Sequence, residues 1–464
     1  MKRAFQVFLT VSGLILFLKG YRVGEYLALL GSLMLLYRVD ICRYRTIVTI
    51  TFFTLIVALK LVQYRFYIST GYDLGIFTNI LHNISHHGRI FDSLNGRHGF
   101  SGHIWPAAYV LSLFFYLWDH PVLLLVLQSL AISMVIPVLC VYGRGYRYMS
   151  LVSLLLIYNI YLHRVSSFDF HPESLAIPLV VAGVFALEEG KNPGFFLILL
   201  FTLTLKEDIA FGWLSIALYF LISRDYKKAM KIAIPTAFYS FLAFLLLLKF
   251  VDIQAMKQLH YTGDFNPLHR IKPTLEFFAS LGFLPLFGMK ETSIFSLPLI
   301  EHLTSGRRIH FRLRCQYSAL LVPLSIIAFL KSERKVSEKW LKILIIFGIA
   351  FSINARPIGA YFDIKKLDLE KSRYTDRLLG SIPGNTKICA GNHIVPHIAT
   401  RDSATQFPYI SDAEIILLDT TWHDYTPISE DSATKIINGL INSGKYRVVS
   451  DSFGVLFLKH EKVR

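Results

Sequence analysis

Asp73 stands between Tyr72 and Leu74, two residues before Gly75, in the first long polar stretch that follows an apolar run. A carboxylate there can take a proton from an acceptor hydroxyl as a general base, or hold a cation. Asp before an apolar stretch is also a preferred helix cap, so spacing alone leaves both roles open. Two more acidic clusters stand at the edges of apolar runs. Asp169-Phe170-His171-Pro172-Glu173 carries two carboxylates and an imidazole, and Lys206-Glu207-Asp208 lies between two runs. Ionisable groups at membrane depth are costly and tend to have a partner or a function. Each cluster also has a plainer role. Glu173 suits the first turn of a helix, where the dipole favours an acid. Lys206-Glu207-Asp208 can neutralise itself in a turn.

Arg307, Arg308, Arg312 and Arg314 crowd one short segment. Guanidinium groups match phosphate oxygens in bidentate geometry, so Arg308, Arg312 and Arg314 are candidates for a phosphate or pyrophosphate. Anionic lipid headgroups would suit them equally. The stretch 68–103 also contains His82, His86, His87, His98 and His103. Their spacings fit no fixed metal motif, and a solvated His-rich loop is expected. His103 stands apart because it sits where the chain re-enters apolar sequence. If a divalent cation serves the site, Asp73, His103, Asp169 and Glu173 are its expected holders. Cys42, Cys140, Cys315 and Cys389 are far apart, with no C-x-x-C pair. Separate buried apolar thiols are expected of them, without zinc or thioredoxin-type chemistry.

The elements that must position these residues follow from composition. Of 464 residues, 53% are hydrophobic and 17% charged, against about a quarter charged in soluble domains. Continuous apolar runs recur from residue 5 to about residue 354, which predicts a polytopic α-helical membrane protein integral to the plasma membrane. The net charge of +16 sits largely in short loops between runs, as the positive-inside bias produces, so no nucleic acid is expected as a partner. Residues 4–18 are expected to be an anchor helix, since a second apolar run begins at Val23 and no small-residue cleavage site follows.

Loop charges thread the chain. Residues 1–45 form a transmembrane hairpin, and Arg38, Arg43 and Arg45 mark its cytoplasmic end. Run 46–66 crosses outward, leaving loop 68–103 outside. Arg144 and Arg147 place 143–147 inside, so 104–118 cannot cross fully. Runs 148–163, 174–188, 194–205, 209–222 and 230–250 then alternate. Residues 276–303 form a second non-crossing element, followed by 316–330 and 340–354. All three acidic clusters and the basic segment fall on one outer face. After this membrane domain (46–355) the composition turns mixed and polar. Residues 360–464 are expected to form a small extracytoplasmic α/β domain. Its strands lie at Ile388–Gly391, Glu414–Leu418, Tyr446–Ser450 and Val455–Leu458, with a helix over Ser432–Ser443.

Several ordered motifs carry a resemblance. Tyr72–Phe77 (Y-D-L-G-I-F), His103, Asp169–Pro178 (D-F-H-P-E-x-L-A-x-P), Lys206–Asp208 (K-E-D), Asn392–His397 and Ala413–Asp419 are similar to a bacterial and archaeal family of uncharacterised multi-pass membrane proteins. That family in turn resembles the GT-C glycosyltransferases, which include protein mannosyltransferases and lipid A aminoarabinose transferases. The resemblance covers roughly residues 46–464. It implies a GT-C-like fold, an acidic catalytic residue in the first outer loop (Asp73 here) and a polyprenyl-phosphate-linked sugar as donor. GT-C enzymes often show an adjacent acidic pair in that loop, whereas Leu74 follows Asp73. On this reading the protein is a membrane glycosyltransferase working on the outer face. His103, Asp169, His171, Glu173, Lys206, Glu207 and Asp208 wall its site, and Arg308, Arg312 and Arg314 hold phosphate. An ion-coupled transporter or lipid flippase, and a scaffold with an outer binding domain, are the competing readings.

Overall fold

A computed structural model describes residues 2–461, except residues 38, 144–147, 255–256, 259–261, 264, 289 and 365–366. Arg38, Arg144 and Arg147, used above to set topology, lie outside the described residues. The apolar runs fold as helices. α1 (Lys2–Leu18) and α2 (Arg22–Leu36) pack as a hairpin. α3 (Arg45–Arg65) leads to a short α4 (Ile76–His87), and α5 (Val122–Tyr142) returns alongside α3. There follow α6 (Met149–Tyr158), α7 (Ile160–Ser167), α8 (Ala176–Glu188), α9 (Asn192–Leu205), α10 (Ile209–Ile222) and α11 (Tyr226–Phe250). α3, α5 and α11 are long and apolar enough to cross a membrane singly, and α6 and α7 qualify as one span bent by 48°. α9 and α10, at 14 residues each, are shorter than the ~20 a straight crossing needs.

The stretch 104–118 breaks into a single helical turn, Ala108–Leu111, and a 3-10 turn, Ser112–Tyr116. Residues 268–304 likewise break into α12 (Leu268–Ala279), two 3-10 turns and α13 (Ser296–Thr304). α14 (Leu321–Ser332) and α15 (Glu338–Asn354) close the membrane portion.

Cys42 and Cys140 form a disulfide rather than the separate thiols their spacing suggests. They precede α3 and end α5, two antiparallel neighbours whose ends meet there. Cys389 is a buried thiol, and Cys315 is partly buried.

The bend between α6 and α7 has a local cause. Asn159 leaves helical geometry, and its side-chain oxygen caps α7 by accepting the Tyr161 and Leu162 amides at 3.0 and 3.1 Å. Its Nδ2 donates to the Ser280 hydroxyl at 3.1 Å. The capped helix then runs straight into Phe168 and Asp169.

The tail folds as α16 (Leu369–Ser381), α17 (Glu430–Asn442) and a five-stranded sheet. A two-stranded ribbon in the first loop supplies β1 (Phe91–Asp92) and β2 (Arg97–His98). The sheet is built from β3 (Ile388–Ala390), β4 (Ala404–Gln406), β5 (Ile415–Asp419), β6 (Tyr446–Ser452) and β7 (Val455–His460), in the order β4-β3-β5-β7-β6. β3 runs parallel to β4 and β5, and β7 is antiparallel to both β5 and β6. The two-residue period of strands splits the tail core. Ile388, Ala390, Ile415 and Leu417 face a layer that includes Tyr67 and Leu94 of the first loop. Cys389, Ile416 and Leu418 face Ala433 of α17 and Tyr446. One face of the sheet thus packs against the membrane portion. His397 strengthens this contact, stacked between Tyr64 and Tyr67 with ring centroids 4.1 and 4.0 Å away.

Asn159→Ala removes the cap and the bond to Ser280. The expected loss of stability is about 1–2 kcal/mol, seen as a lower melting temperature of the detergent-solubilised protein. An unchanged melting temperature would show that the bend does not depend on Asn159.

Candidate active site

Asp73 does not cap a helix. It lies inside a π-helical turn, Gly71–Gly75, that leads directly into α4. The tail shapes this turn from outside. The Asn392 side-chain oxygen accepts the Gly71 amide at 2.9 Å and the Tyr72 amide at 3.1 Å. The approach is close enough to require glycine. A Cβ on Gly71 would sit 2.8 Å from both Gln406 Oε1 and Val395 Cβ, and one on Gly75 would sit 2.8 Å from Val395 Cγ1. Asn392 Nδ2 donates to Asp424 at 2.7 Å, and His393 Nε2 lies 3.3 Å from the same carboxylate. Trp422 stacks on the His393 ring.

Asp73 faces His171, whose Nε2 is 3.3 Å from Asp73 Oδ1. The Thr70 hydroxyl stands between two carboxylates, 3.2 Å from Asp73 Oδ2 and 2.9 Å from Asp169 Oδ2. The Thr70 amide also donates to Asp169 at 2.7 Å. Burial raises the Asp73 carboxyl to about 8, helped by the negative charges of Asp169, Glu173 and Asp424 and opposed by Thr70. Burial likewise raises Asp169, against the nearby Lys60 ammonium. His171 is pushed down to about 4, chiefly by burial. Asp73 therefore meets a neutral imidazole rather than a countercharge. Its side chain keeps 21% of its surface exposed, while that of His171 keeps 5%.

A second layer lies behind. Lys206 Nζ is 3.1 Å from Glu173 Oε1 and 2.8 Å from Asp208 Oδ2. Glu207 accepts from the Ile104 amide at 2.9 Å and meets His103 Nδ1 at 2.9 Å. Glu173 is thus tied across two segments, beyond a role in the first turn of a helix. The Lys206–Asp208 turn is partly self-neutralised and partly bound to Glu173 and His103. Glu173 Oε2 and Asp208 Oδ1 are buried with no hydrogen-bond partner among the described residues. Glu301, on α13, joins this layer. Burial and the charges of Asp208, Glu207 and Glu173 raise it to about 8, against Lys206.

Thr70 and Asp169 border a cavity of about 540 Å³, with Arg164, Arg314 and Arg356 among its other lining residues. Asp73, Glu173 and Glu207 are not among them. Of the three arginines expected to hold phosphate, Arg314 lines the cavity, while Arg308 and Arg312 are exposed elsewhere. Sequence reasoning missed Arg164, the one arginine on α7, and Glu301, which carries no local motif. It also missed the work of Asn392 and Asp424, whose partners lie some 320 residues away in the chain for Asn392.

The comparisons with known proteins agree with this architecture. No curated protein matches. Two solved structures share the fold, both of ArnT from Cupriavidus metallidurans. The apo form matches with a TM-score of 0.53 at 11% identity. The form bound to undecaprenyl phosphate matches with a TM-score of 0.50 at 10% identity. Each match covers 87% of this chain and 97% of the other. A model of the family described as predicted membrane protein (DUF2079) matches residues 64–265 and 258–457, which take in the Asp73 turn, both acidic layers and the tail, and the chain belongs to that family.

Proposed function

We propose that this protein is a membrane glycosyltransferase that moves a sugar from a polyprenyl-phosphate-linked donor to an acceptor on the extracytoplasmic face. The observation that carries the reading is a partly exposed carboxylate, Asp73, held against neutral His171 and one threonine away from an arginine-lined cavity. The fold shared with a protein solved in complex with undecaprenyl phosphate supports it. So does the GT-C resemblance of the ordered motifs.

In this mechanism the ionised Asp73 takes the proton of the acceptor hydroxyl. The acceptor oxygen forms a bond to the anomeric carbon as the bond from that carbon to the phosphate oxygen breaks. The electron pair leaves on the polyprenyl phosphate, whose charge Arg164 and Arg314 stabilise in the cavity. His171 packs against the Asp73 carboxyl from its buried side, and its low basicity leaves the proton on Asp73 once it is taken. Lys206 serves the second layer rather than the phosphate, because it is buried between Glu173 and Asp208. Glu207 and His103 fix the segment where the first loop returns to apolar sequence. The basic segment at 307–314 and the acidic clusters then share the outer face with the tail.

Two outcomes test this. Asp73→Asn keeps the size of the side chain and removes the base. Consumption of polyprenyl-phosphate sugar in membranes should fall by about 10²–10⁴-fold with expression and melting temperature unchanged, and full turnover would remove Asp73 from the chemistry. The second outcome is a pH profile. A base works in its ionised form, and Asp73 is raised to about 8. The kcat/KM should therefore rise with pH and level off above about 8, since this parameter reports groups of the free enzyme. A profile flat between about pH 6 and pH 9 would contradict the assignment.

A further inference from the structure

The C-terminal half of α4 carries a cluster that sugar transfer does not use. His82 and His86 are one turn apart on a helix and lie on one face, with rings stacked at 4.4 Å. Both face Asp119, just before α5. His82 Nδ1 is 2.8 Å from Asp119 Oδ2, and His86 Nε2 is 3.8 Å from the same oxygen. All three atoms lie within 4.8 Å of one another. The cluster is some nine residues along the chain from Asp73, or about 13 Å of helical rise, and is separate from the site above. His82 is buried, so this part of the first loop is not the solvated stretch its composition suggests.

The other ring nitrogens decide where lone pairs point. His82 Nε2 lies 3.3 Å from Asp402 Oδ1, at the edge of the tail. His86 Nδ1 lies 2.9 Å from the Ser85 hydroxyl, which itself donates to the His82 carbonyl oxygen, and 3.2 Å from that carbonyl oxygen, an acceptor only. A cation at the inner nitrogens leaves the ring protons on the outer ones, where Asp402 and the His82 carbonyl oxygen can accept them. His82 Nδ1 and His86 Nε2 then present lone pairs toward a carboxylate that also has only lone pairs. Asp119 Oδ1 is buried with no hydrogen-bond partner among the described residues. Acceptors facing one another at these distances require a positive charge between them. A bridging proton would serve two of the atoms and leave the third and Asp119 Oδ1 unserved.

We propose that His82 Nδ1, His86 Nε2 and Asp119 hold a divalent transition metal of the zinc class. Metal bonds of about 2.0–2.2 Å in tetrahedral geometry place ligand atoms about 3.3–3.5 Å apart, between the two distances seen. Two imidazoles select this class over magnesium or calcium. Asp402 takes the outer position typical of a carboxylate–histidine–metal arrangement. His87 Nε2, 2.7 Å from Asp402 Oδ1, steadies that carboxylate from the other side. His82, His87 and Asp402 form an alternative triad, but it uses the His82 nitrogen that already faces an exposed carboxylate and leaves the Asp119 oxygens unserved. The metal would tie α4 to the start of α5 and, through Asp402, to the tail, with its remaining positions open to water.

The test uses the full chain in detergent, freed of affinity tag and stripped with chelator. Titration with Zn²⁺ should show one tight site per chain and raise the melting temperature. Co²⁺ in its place should give the visible spectrum of a tetrahedral nitrogen–oxygen site. His86→Ala changes an exposed side chain, and Asp119→Asn preserves shape. Each should weaken Zn²⁺ binding by more than the ~10–100-fold typical of losing an outer partner, the loss expected of Asp402→Asn. His87→Ala removes a partner of Asp402 and no ligand, so it should weaken binding by no more than Asp402→Asn does. Absence of a tight site, binding that survives both H86A and D119N, or binding lost in H87A would overturn the assignment and leave the cluster as an ion pair only.

Discussion

One side-chain oxygen governs the geometry of the candidate site. Asn392 accepts two successive backbone amides, Gly71 and Tyr72, across a gap that the sequence spans with 320 residues. A buried amide left without a partner costs about 1–3 kcal/mol, so the turn cannot easily relax away from the tail. Asn392 is itself fixed, because it follows β3 and Gly391 at the carboxyl end of a parallel strand pair, and its amide nitrogen is bound to Asp424. The tail is therefore a working wall of the site, and the π-helical turn that aims Asp73 exists through contacts the membrane helices do not supply.

The charges at this end of the molecule are shared unevenly, and the unevenness separates roles. Lys206 answers Glu173 and Asp208, and His103 answers Glu207. Lys60 donates to the Phe168 carbonyl and opposes the burial that raises Asp169. Among the described residues Asp73 meets a neutral imidazole and a hydroxyl. A carboxylate with a full countercharge is locked in one protonation state. One without it responds to a proton donor brought into reach, which is what a base requires. The same reasoning makes the second layer a scaffold: its ion pairs join the ends of α8, α9 and α10 and thereby hold the segment that carries His171.

Features set by local pattern were legible in the sequence. The strands at 388, 415, 446 and 455 and the helix near 432–443 follow from two- and 3.6-residue periods, and the observed elements start and end within a few residues of them. β4, only Ala404–Gln406, is too short to announce itself, and α16 has a mixed polar sequence that gives no clear stripe. The chemistry-bearing clusters stood out because charge at the edge of apolar sequence is costly. Their partners did not, since proximity across helices leaves no local mark. Thr70, three residues before Asp73, has the plainest side chain of the group, and Glu301 sits alone on a short helix. The Cys42–Cys140 pair was hidden for the same reason, with 98 residues between two helix ends that happen to be neighbours.

The N-terminal hairpin shows how far such remote pairing reaches. Arg356 lines the cavity with Arg164 and Arg314, and three free guanidinium groups would make it strongly cationic. Glu25, fully buried on α2, takes the Arg356 Nε at 2.8 Å and the Gly359 amide at 2.8 Å. One arginine is thus paired with the hairpin, and Arg164 and Arg314 are the other two arginines in the cavity lining. The hairpin, which on sequence looks like a simple anchor, therefore sets the charge of the cavity from the far side of the chain.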